Sequence, residues 1–263
     1  MRIAVCIKQV PNTNEVRINQ ETGTLIRDGV PSIINPDDKN AIEAALRLRE
    51  ENSGSVAVLN MGPPQAKEAL KEALAMGADE AYLISDRAFG GSDTWATATI
   101  VAAALEKTGP YDVIFCGRQA IDGDTAQVGP EIAEFMDIPQ VTYVKDICVK
   151  GEGFEVTRFT ETGDYRLKVK APVLFTAIKE LNIPRYPSVK RIFQYYDGED
   201  TIKVLTLEDL TLDMTQIGLK GSPTNVYRSF VPVKDKKNEI IDGINGKDKG
   251  AKMVDKLFDL KLI

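Results

Sequence analysis

Three observations predict an α/β protein built on a mostly parallel sheet. Short apolar runs of strand length recur with helix-periodic segments between them, glycine and proline stand where segments should stop, and past the midpoint the pattern turns to alternation. The runs Ile3 to Ile7, Val56 to Leu59, Ala81 to Ile84 and Val113 to Cys116 are nearly continuous in apolar residues, as strands covered on both faces are. The first helical pattern opens at Asn35-Pro36, an N-cap candidate followed by proline at the first helical position. It carries Ala41, Ile42, Ala45 and Leu48 inward as far as Glu51. The second covers Pro64 to Met76 and stops at Gly77, where a left-handed cap suits glycine. The third runs from Asp93 to Lys107 before Gly109-Pro110, and the fourth has Ile132, Ala133, Phe135 and Met136 as its apolar face. Strand and helix in this alternation mean parallel strands joined by right-handed crossovers.

After Pro139 the texture changes. Val141 to Val149, Phe154 to Phe159 and Tyr165 to Val169 alternate between glycine-containing turns, which predicts an antiparallel strand segment added to the sheet, with Val173 to Ala177 returning to the main sheet. From Gly198 onward the chain is polar and turn-rich, ending in a helical pattern over Lys247 to Leu260. The expected division is therefore a main α/β domain over residues 1–197 and a C-terminal arm over 198–263. The arm's apolar residues, Phe230, Val231, Leu257, Phe258 and Leu260, are too few for a core of their own and must pack on this domain or on a partner chain. Its lysines, Lys234, Lys236, Lys237, Lys247, Lys249 and Lys252, read as a solvated surface.

Composition narrows the chemistry. With 263 residues, 43% apolar and 27% charged, the chain resembles an ordinary globular protein, and its net charge of −6 argues against nucleic acid as a partner. No apolar run approaches the roughly 20 residues of a membrane span, and the amino terminus MRIAVCIKQV is too short in apolar residues for a signal peptide, so no membrane span and a cytoplasmic location are expected. Cys6, Cys116 and Cys148 are odd in number, widely spaced and flanked by apolar residues, which suits buried reduced thiols. Histidine is absent, which excludes Ser-His-Asp and Cys-His nucleophiles and His-ligated zinc. Carboxylate or lysine chemistry stays open, yet no short motif proposes an acid–base pair, and a cofactor is the expected carrier of any chemistry.

The stretch GRQAIDGDTAQVGP, Gly117 to Pro130, follows the fourth strand and precedes the fourth helix. Ligands of open α/β sheets bind at the carboxyl ends of strands, and helix amino termini present unpaired N–H groups to phosphate. Gly123, Thr125, Ala126 and Gly129 are small enough for a phosphate to approach the backbone. Asp124 or Thr125 is a candidate helix cap, with Gln127 completing a capping box if Asp124 is the cap. The stretch is neither a Walker loop nor GxGxxG, and a tight structural turn is the competing reading. Arg118, just before the loop, is the best placed cation for a pyrophosphate. Trp95, the single tryptophan, reads as packing near a helix start.

That loop, together with IAVCIKQVPNT, SIINPDDKNAIEAALRLRE, LNMGPPQAKEAL, ALAMGADEAYLI and LNIPRYPSV, resembles the beta subunits of electron transfer flavoproteins over essentially the whole chain. The resemblance implies a Rossmann-like domain with helices on both faces, paired with an alpha subunit that carries FAD. It also implies an adenine-nucleotide site lined by Cys6, by Asn35, Pro36, Asp37 and Asp38, by Met61, and by the loop Asp122, Gly123, Asp124, Thr125, Ala126, Gln127, Val128 and Gly129. DGDTAQVGP, with glycine at 123, is similar to the electron-bifurcating branch. A second FAD is implied there, with NADH as donor and a low-potential acceptor such as ferredoxin or flavodoxin. AMP as a structural ligand of a simple carrier is the alternative, and a nucleotide-binding stress-type protein a third. ELNIPRYPSV resembles the loop that docks on acyl-CoA dehydrogenase, with Leu181 as an exposed anchor and Asn182, Pro184, Arg185 and Tyr186 around it.

Overall fold

The computed structural model describes residues 1–12, 17–18, 25–26, 31–227 and 238–263, and the expectations for Phe230, Val231, Lys234, Lys236 and Lys237 lie outside them. Strand β1 spans Arg2–Ile7 and is followed by the short strands β2 (Gln9–Pro11), β3 (Arg17–Ile18), β4 (Leu25–Ile26) and β5 (Ser32–Ile34). Helix α1 (Pro36–Asn52), β6 (Ser55–Met61), α2 (Lys67–Met76), β7 (Glu80–Ile84), α3 (Thr94–Thr108), β8 (Val113–Gly117) and α4 (Val128–Phe135) alternate as the apolar runs require. Then come β9 (Gln140–Lys150), β10 (Gly153–Thr160), β11 (Gly163–Lys170) and β12 (Val173–Ala177). After them follow α5 (Val189–Tyr196), β13 (Lys203–Leu205), α6 (Gly218–Gly221) and α7 (Gly246–Asp259).

One nine-stranded sheet carries the fold, in the order β11-β10-β9-β12-β8-β1-β6-β7-β13. From β9 to β13 every neighbouring pair is parallel, whereas β9, β10 and β11 form an antiparallel meander. Two small antiparallel pairs, β2 with β5 and β3 with β4, stand apart from it. The predicted fold class is the one observed. Helices cover both faces: Ile42, Leu46, Leu70 and Leu74 of α1 and α2 join Val5, Val58 and Phe115 in one cluster, and Ile100, Leu105 and Ile132 of α3 and α4 join Leu59, Ile84 and Ile114 in the other. The meander is tied to the parallel core through Phe154 and Phe175, whose ring centroids lie 5.6 Å apart.

Local signals explain most boundaries. Gly77 takes φ 139° and ends α2 by donating its N–H to Ala73 and Leu74, a conformation that suits glycine. Asp93 caps α3 by accepting from Ala96 N at 3.0 Å. Trp95 packs edge-on against Phe135 at 4.8 Å while remaining partly exposed.

Two expectations need correction. The compact body runs from Met1 to Tyr227, with Arg228–Ile263 as a second unit, so the arm does not begin at 198. Its first part, up to Tyr227, stays with the body, where β13 adds parallel to β7, in register from Lys203 against Tyr82 to Leu205 against Ile84. Cys148 is exposed, because the meander carries β9 beyond the cover of the helices, while Cys6 is half-buried and Cys116 buried. Among the described residues no helix is long and apolar enough to cross a membrane.

Candidate functional site

From β1 the chain goes to β6 on one side, and it later returns to place β8 on the other. Connections therefore diverge between β1 and β8, and the crevice at such a switch point is where open α/β sheets bind ligands. A cavity of about 400 Å³ opens there. Its floor is made by Cys6 and Ile7 at the end of β1 and by Cys116 and Gly117 at the end of β8, with Leu59 and Met61 beside them. Arg118, Asp122, Gly123, Thr125, Ala126, Gln127, Val128 and Gly129, all expected from sequence, form one wall.

The loop is shaped by its backbone. Asp124 and Ala126 sit at φ 53° and 55°, in the left-handed region, and α4 begins only at Val128, with Gln127 at its N-cap position, which overturns the expectation that Asp124 or Thr125 caps it. Gln127 precedes α4 with no side-chain cap, and no capping box forms. The first-turn N–H groups of Val128 and Gly129 therefore lack intrahelical partners, and both residues face the cavity. A Cβ on Gly129 would lie 2.9 Å from Thr176 Cγ2, so glycine lets α4 settle on the sheet. At Gly123 a Cβ would meet nothing within 4 Å, so the wall opens outward there.

The α1 residues hold the wall rather than form it. Asn35 donates to Gln119 O at 2.8 Å and accepts from Ile121 N at 3.0 Å. The buried Asp38 carboxylate accepts from Lys8 N at 2.7 Å, Gly117 N at 3.1 Å and Asn35 Nδ2 at 3.1 Å, joining the ends of β1 and β8 to α1. Burial pushes the Asp38 carboxyl up to about 7, against those three hydrogen bonds. A Cβ on Gly117 would lie 2.1 Å from Asp38 Oδ1, so that position admits only glycine. Asp37 stands 3.4 Å from Arg118 Nε, and its carboxyl is raised by burial, which the guanidinium opposes. Of these residues Asp38 reaches the cavity, while Asn35, Pro36 and Asp37 stand behind it, as does Asp124, which receives a hydrogen bond from Gln119.

Sequence reasoning missed Lys8, whose ammonium pairs with Asp122 at 2.6 Å across the cavity mouth. It also missed the opposite wall, Ser92, Asp93, Thr94 and Thr97 at the start of α3. The signal was present, since Asp93-Thr94 opens a helix following β7 just as the loop precedes one following β8. Two buried polar atoms of wall residues have no hydrogen-bond partner: Asp122 Oδ1, and Arg118 Nε, which has only its ion pair with Asp37. The site thus holds polar groups that the surrounding protein leaves unsatisfied.

The second predicted segment lies after β12. Leu181, expected as an exposed anchor, is half-buried and packs against the core, because the turn Lys179–Leu181 folds it under α1 and β9. Asn182 and Asn40 bond reciprocally, at 2.7 and 2.9 Å. Arg185 grips Glu43 at 2.8 Å and Glu50 at 2.5 Å. Burial raises the Glu43 carboxyl, but the hydrogen bonds from Arg185 and Arg47 outweigh it and hold the group below 4.5. Pro184 is half-buried. What faces out is Ile183, 85% exposed, and Tyr186, 95%, continued by Val189 and Phe193 of α5.

Sheet, switch-point crevice and helix-backed loop define the class: an open α/β protein with a cleft at the switch point of its sheet. The family follows from comparison. A model described as Electron transfer flavoprotein domain matches residues 22–207, and the chain belongs to that family. It is 58% identical over 257 residues to an electron transfer flavoprotein subunit beta of Thermoanaerobacterium thermosaccharolyticum, covering 98% of both chains. It is 52% identical over 264 residues to caffeyl-CoA reductase-Etf complex subunit CarD of Acetobacterium woodii, covering both completely. The acryloyl-CoA reductase electron transfer subunit gamma of Anaerotignum propionicum is 47% identical over 271 residues, again with full coverage. The chain is an electron-transfer protein of this family.

Proposed function

We propose that this chain is the nucleotide-binding small subunit of a bifurcating electron transfer flavoprotein and that its cleft holds FAD. The opening at Gly123 carries this reading: the cleft wall is cut away where a dinucleotide would continue past its adenosine phosphate. The α4 amino terminus, with the amides of Val128 and Gly129, would meet phosphate, and Arg118 and Lys8 would offset its charge. Asp38 and Asn35 would keep the strand ends and loop in place beneath it. Bound FAD would supply the redox chemistry, passing electrons from NADH toward a low-potential acceptor such as ferredoxin or flavodoxin and toward an acyl-CoA dehydrogenase. The names of the caffeyl-CoA and acryloyl-CoA reductase relatives support a role beside such an enzyme.

One observation favours a simple carrier with structural AMP. A cavity of about 400 Å³ lies near the small end of the roughly 300–1,000 Å³ usual for small-molecule sites. Cofactor extraction with a flavin spectrum, on the complex with its alpha subunit, separates the readings. Two FAD per complex supports ours, and one FAD with one AMP overturns it.

The unit Arg228–Ile263 belongs to the same proposal. Helix α7 buries no residue and exposes Met253, Val254 and Phe258, and we assign this face to the alpha subunit, as segments lacking a core need a host. A chain ending at Tyr227 should fold yet lose the alpha subunit on size-exclusion chromatography. Co-elution at full-length yield would refute the assignment.

A further inference from the structure

Cys6 and Cys116 stand opposite each other, in register, on the neighbouring strands β1 and β8. Paired residues of parallel strands project from the same face, and neighbouring strands lie roughly 4.7–4.9 Å apart, within the roughly 4.4–6.8 Å Cα separation that a disulfide accepts. Both side chains emerge on the face covered by α3 and α4, where Cys6 packs against the cluster containing Cys116, and both reach the cleft. We propose that Cys6 and Cys116 form an oxidisable dithiol in the floor of the cleft, closed to a disulfide by peroxide.

The two thiols differ in what they can do. Cys6 is half-buried and meets a small oxidant entering through the cleft, whereas Cys116 is 6% exposed. The hydrogen bond with Cys6, and then burial, push the Cys116 thiol up, so Cys6 is the one that meets the oxidant first. Peroxide oxidises the Cys6 sulfur to a sulfenic acid and leaves as one water. Cys116 then attacks that sulfur, the S–S bond forms, and the sulfenic oxygen departs with the thiol proton as a second water. Two thiols and one peroxide thus give one disulfide and two waters. A Cβ on Gly129 would stand 3.6 Å from Cys116 Sγ, so this sulfur packs directly under the first turn of α4. Closure therefore acts on the residues that shape the cleft.

The test treats the full-length protein, in the complex in which it purifies and with any nucleotide in its cleft first removed, with hydrogen peroxide in the presence and absence of AMP. Free thiols are then alkylated, and the protein is digested without reductant for peptide mass analysis. The expected product links the Cys6 and Cys116 peptides with the loss of two hydrogens, is reversed by reductant, is absent in Cys6→Ser and persists in Cys148→Ser. Recovery of Cys6 and Cys116 only as separately alkylated or over-oxidised peptides would overturn the proposal without needing any variant to fold. Shielding by AMP rests on the nucleotide reading above: at ten times its dissociation constant AMP should slow the link roughly tenfold. A link that forms at the same rate with AMP supports the dithiol and counts against that reading. AMP binding without any link does the reverse.

Discussion

Strands β8 and β12 run side by side, in register from Val113 against Val173 to Gly117 against Ala177, and each hands the chain to a loop fastened to α1. The loops end in opposite states. The first is held from beneath by Asn35 and Asp38 and encloses space. The second is clamped from the side by Asn40, Glu43 and Glu50, folds Leu181 inward and turns Ile183 and Tyr186 out. One encloses a cleft and the other projects apolar side chains, although both hang from carboxylates of one helix. Those carboxylates are opposed as well: Asp38 is raised by burial, while Glu43 is lowered by its arginines in spite of burial.

The difference in sign gives the largest expected effect. A carboxyl raised in the fold contributes stability that is complete below its unfolded value of 3.8 and is lost as pH rises through about 7. Denaturation of wild type and Asp38→Asn should therefore show the wild-type advantage shrinking between about pH 4 and about pH 8, by up to about 4 kcal/mol. A constant difference would show that Asp38 stays ionised in the fold. Glu43 works the other way. Arg185→Ala should cost about 3 kcal/mol at neutral pH, because it strips a partner from a carboxylate whose side chain is only 4% exposed. That deficit should fade as pH drops through 4.5 and below, where Glu43 protonates. Flavin content of the folded variant should not change, and a loss of flavin would break the separation between the loops.

Smaller effects sharpen the division. Tyr186→Ala should slow electron delivery to the proposed acyl-CoA dehydrogenase partner, below saturation, by an amount equivalent to about 2 kcal/mol of docking energy, with stability intact. Leu181→Ala should instead lower stability by about 2 kcal/mol and leave delivery unaltered at subsaturating partner. The opposite outcome, measured by stopped-flow reduction and by denaturation, would restore Leu181 as the anchor. Gly123→Asp points a carboxylate into open space, so the fold should hold while nucleotide affinity falls about tenfold. Calorimetric titration showing unchanged affinity would place the ligand away from that opening.

Much of this was legible in the sequence, for physical reasons. Buried parallel strands need unbroken apolar runs, so Ile3 to Ile7 and Val113 to Cys116 announced the core and, between their ends, the cleft. Strand β13 was invisible because Lys203-Val204-Leu205 is three residues long and lives on backbone pairing to β7 rather than on an apolar pattern. Leu181 misled because a leucine in a polar loop looks the same whether it faces out or folds under. Asp124 misled because acidic residues favour both helix caps and left-handed turns, and only the backbone distinguishes them. Lys8 gave no signal at all, since its partner Asp122 lies 114 residues away.

The way the sheet ends has a consequence for assembly. At one end β13 stops after three residues, too short a template for another strand. At the other, β11 is eight residues long but carries Arg166, Lys168 and Lys170, and a second copy brought edge to edge would meet like charge. Neither border invites a strand from outside, one for want of length and the other by repulsion. Growth by strand addition is closed to this subunit, which leaves loops and helix surfaces as its means of joining other chains.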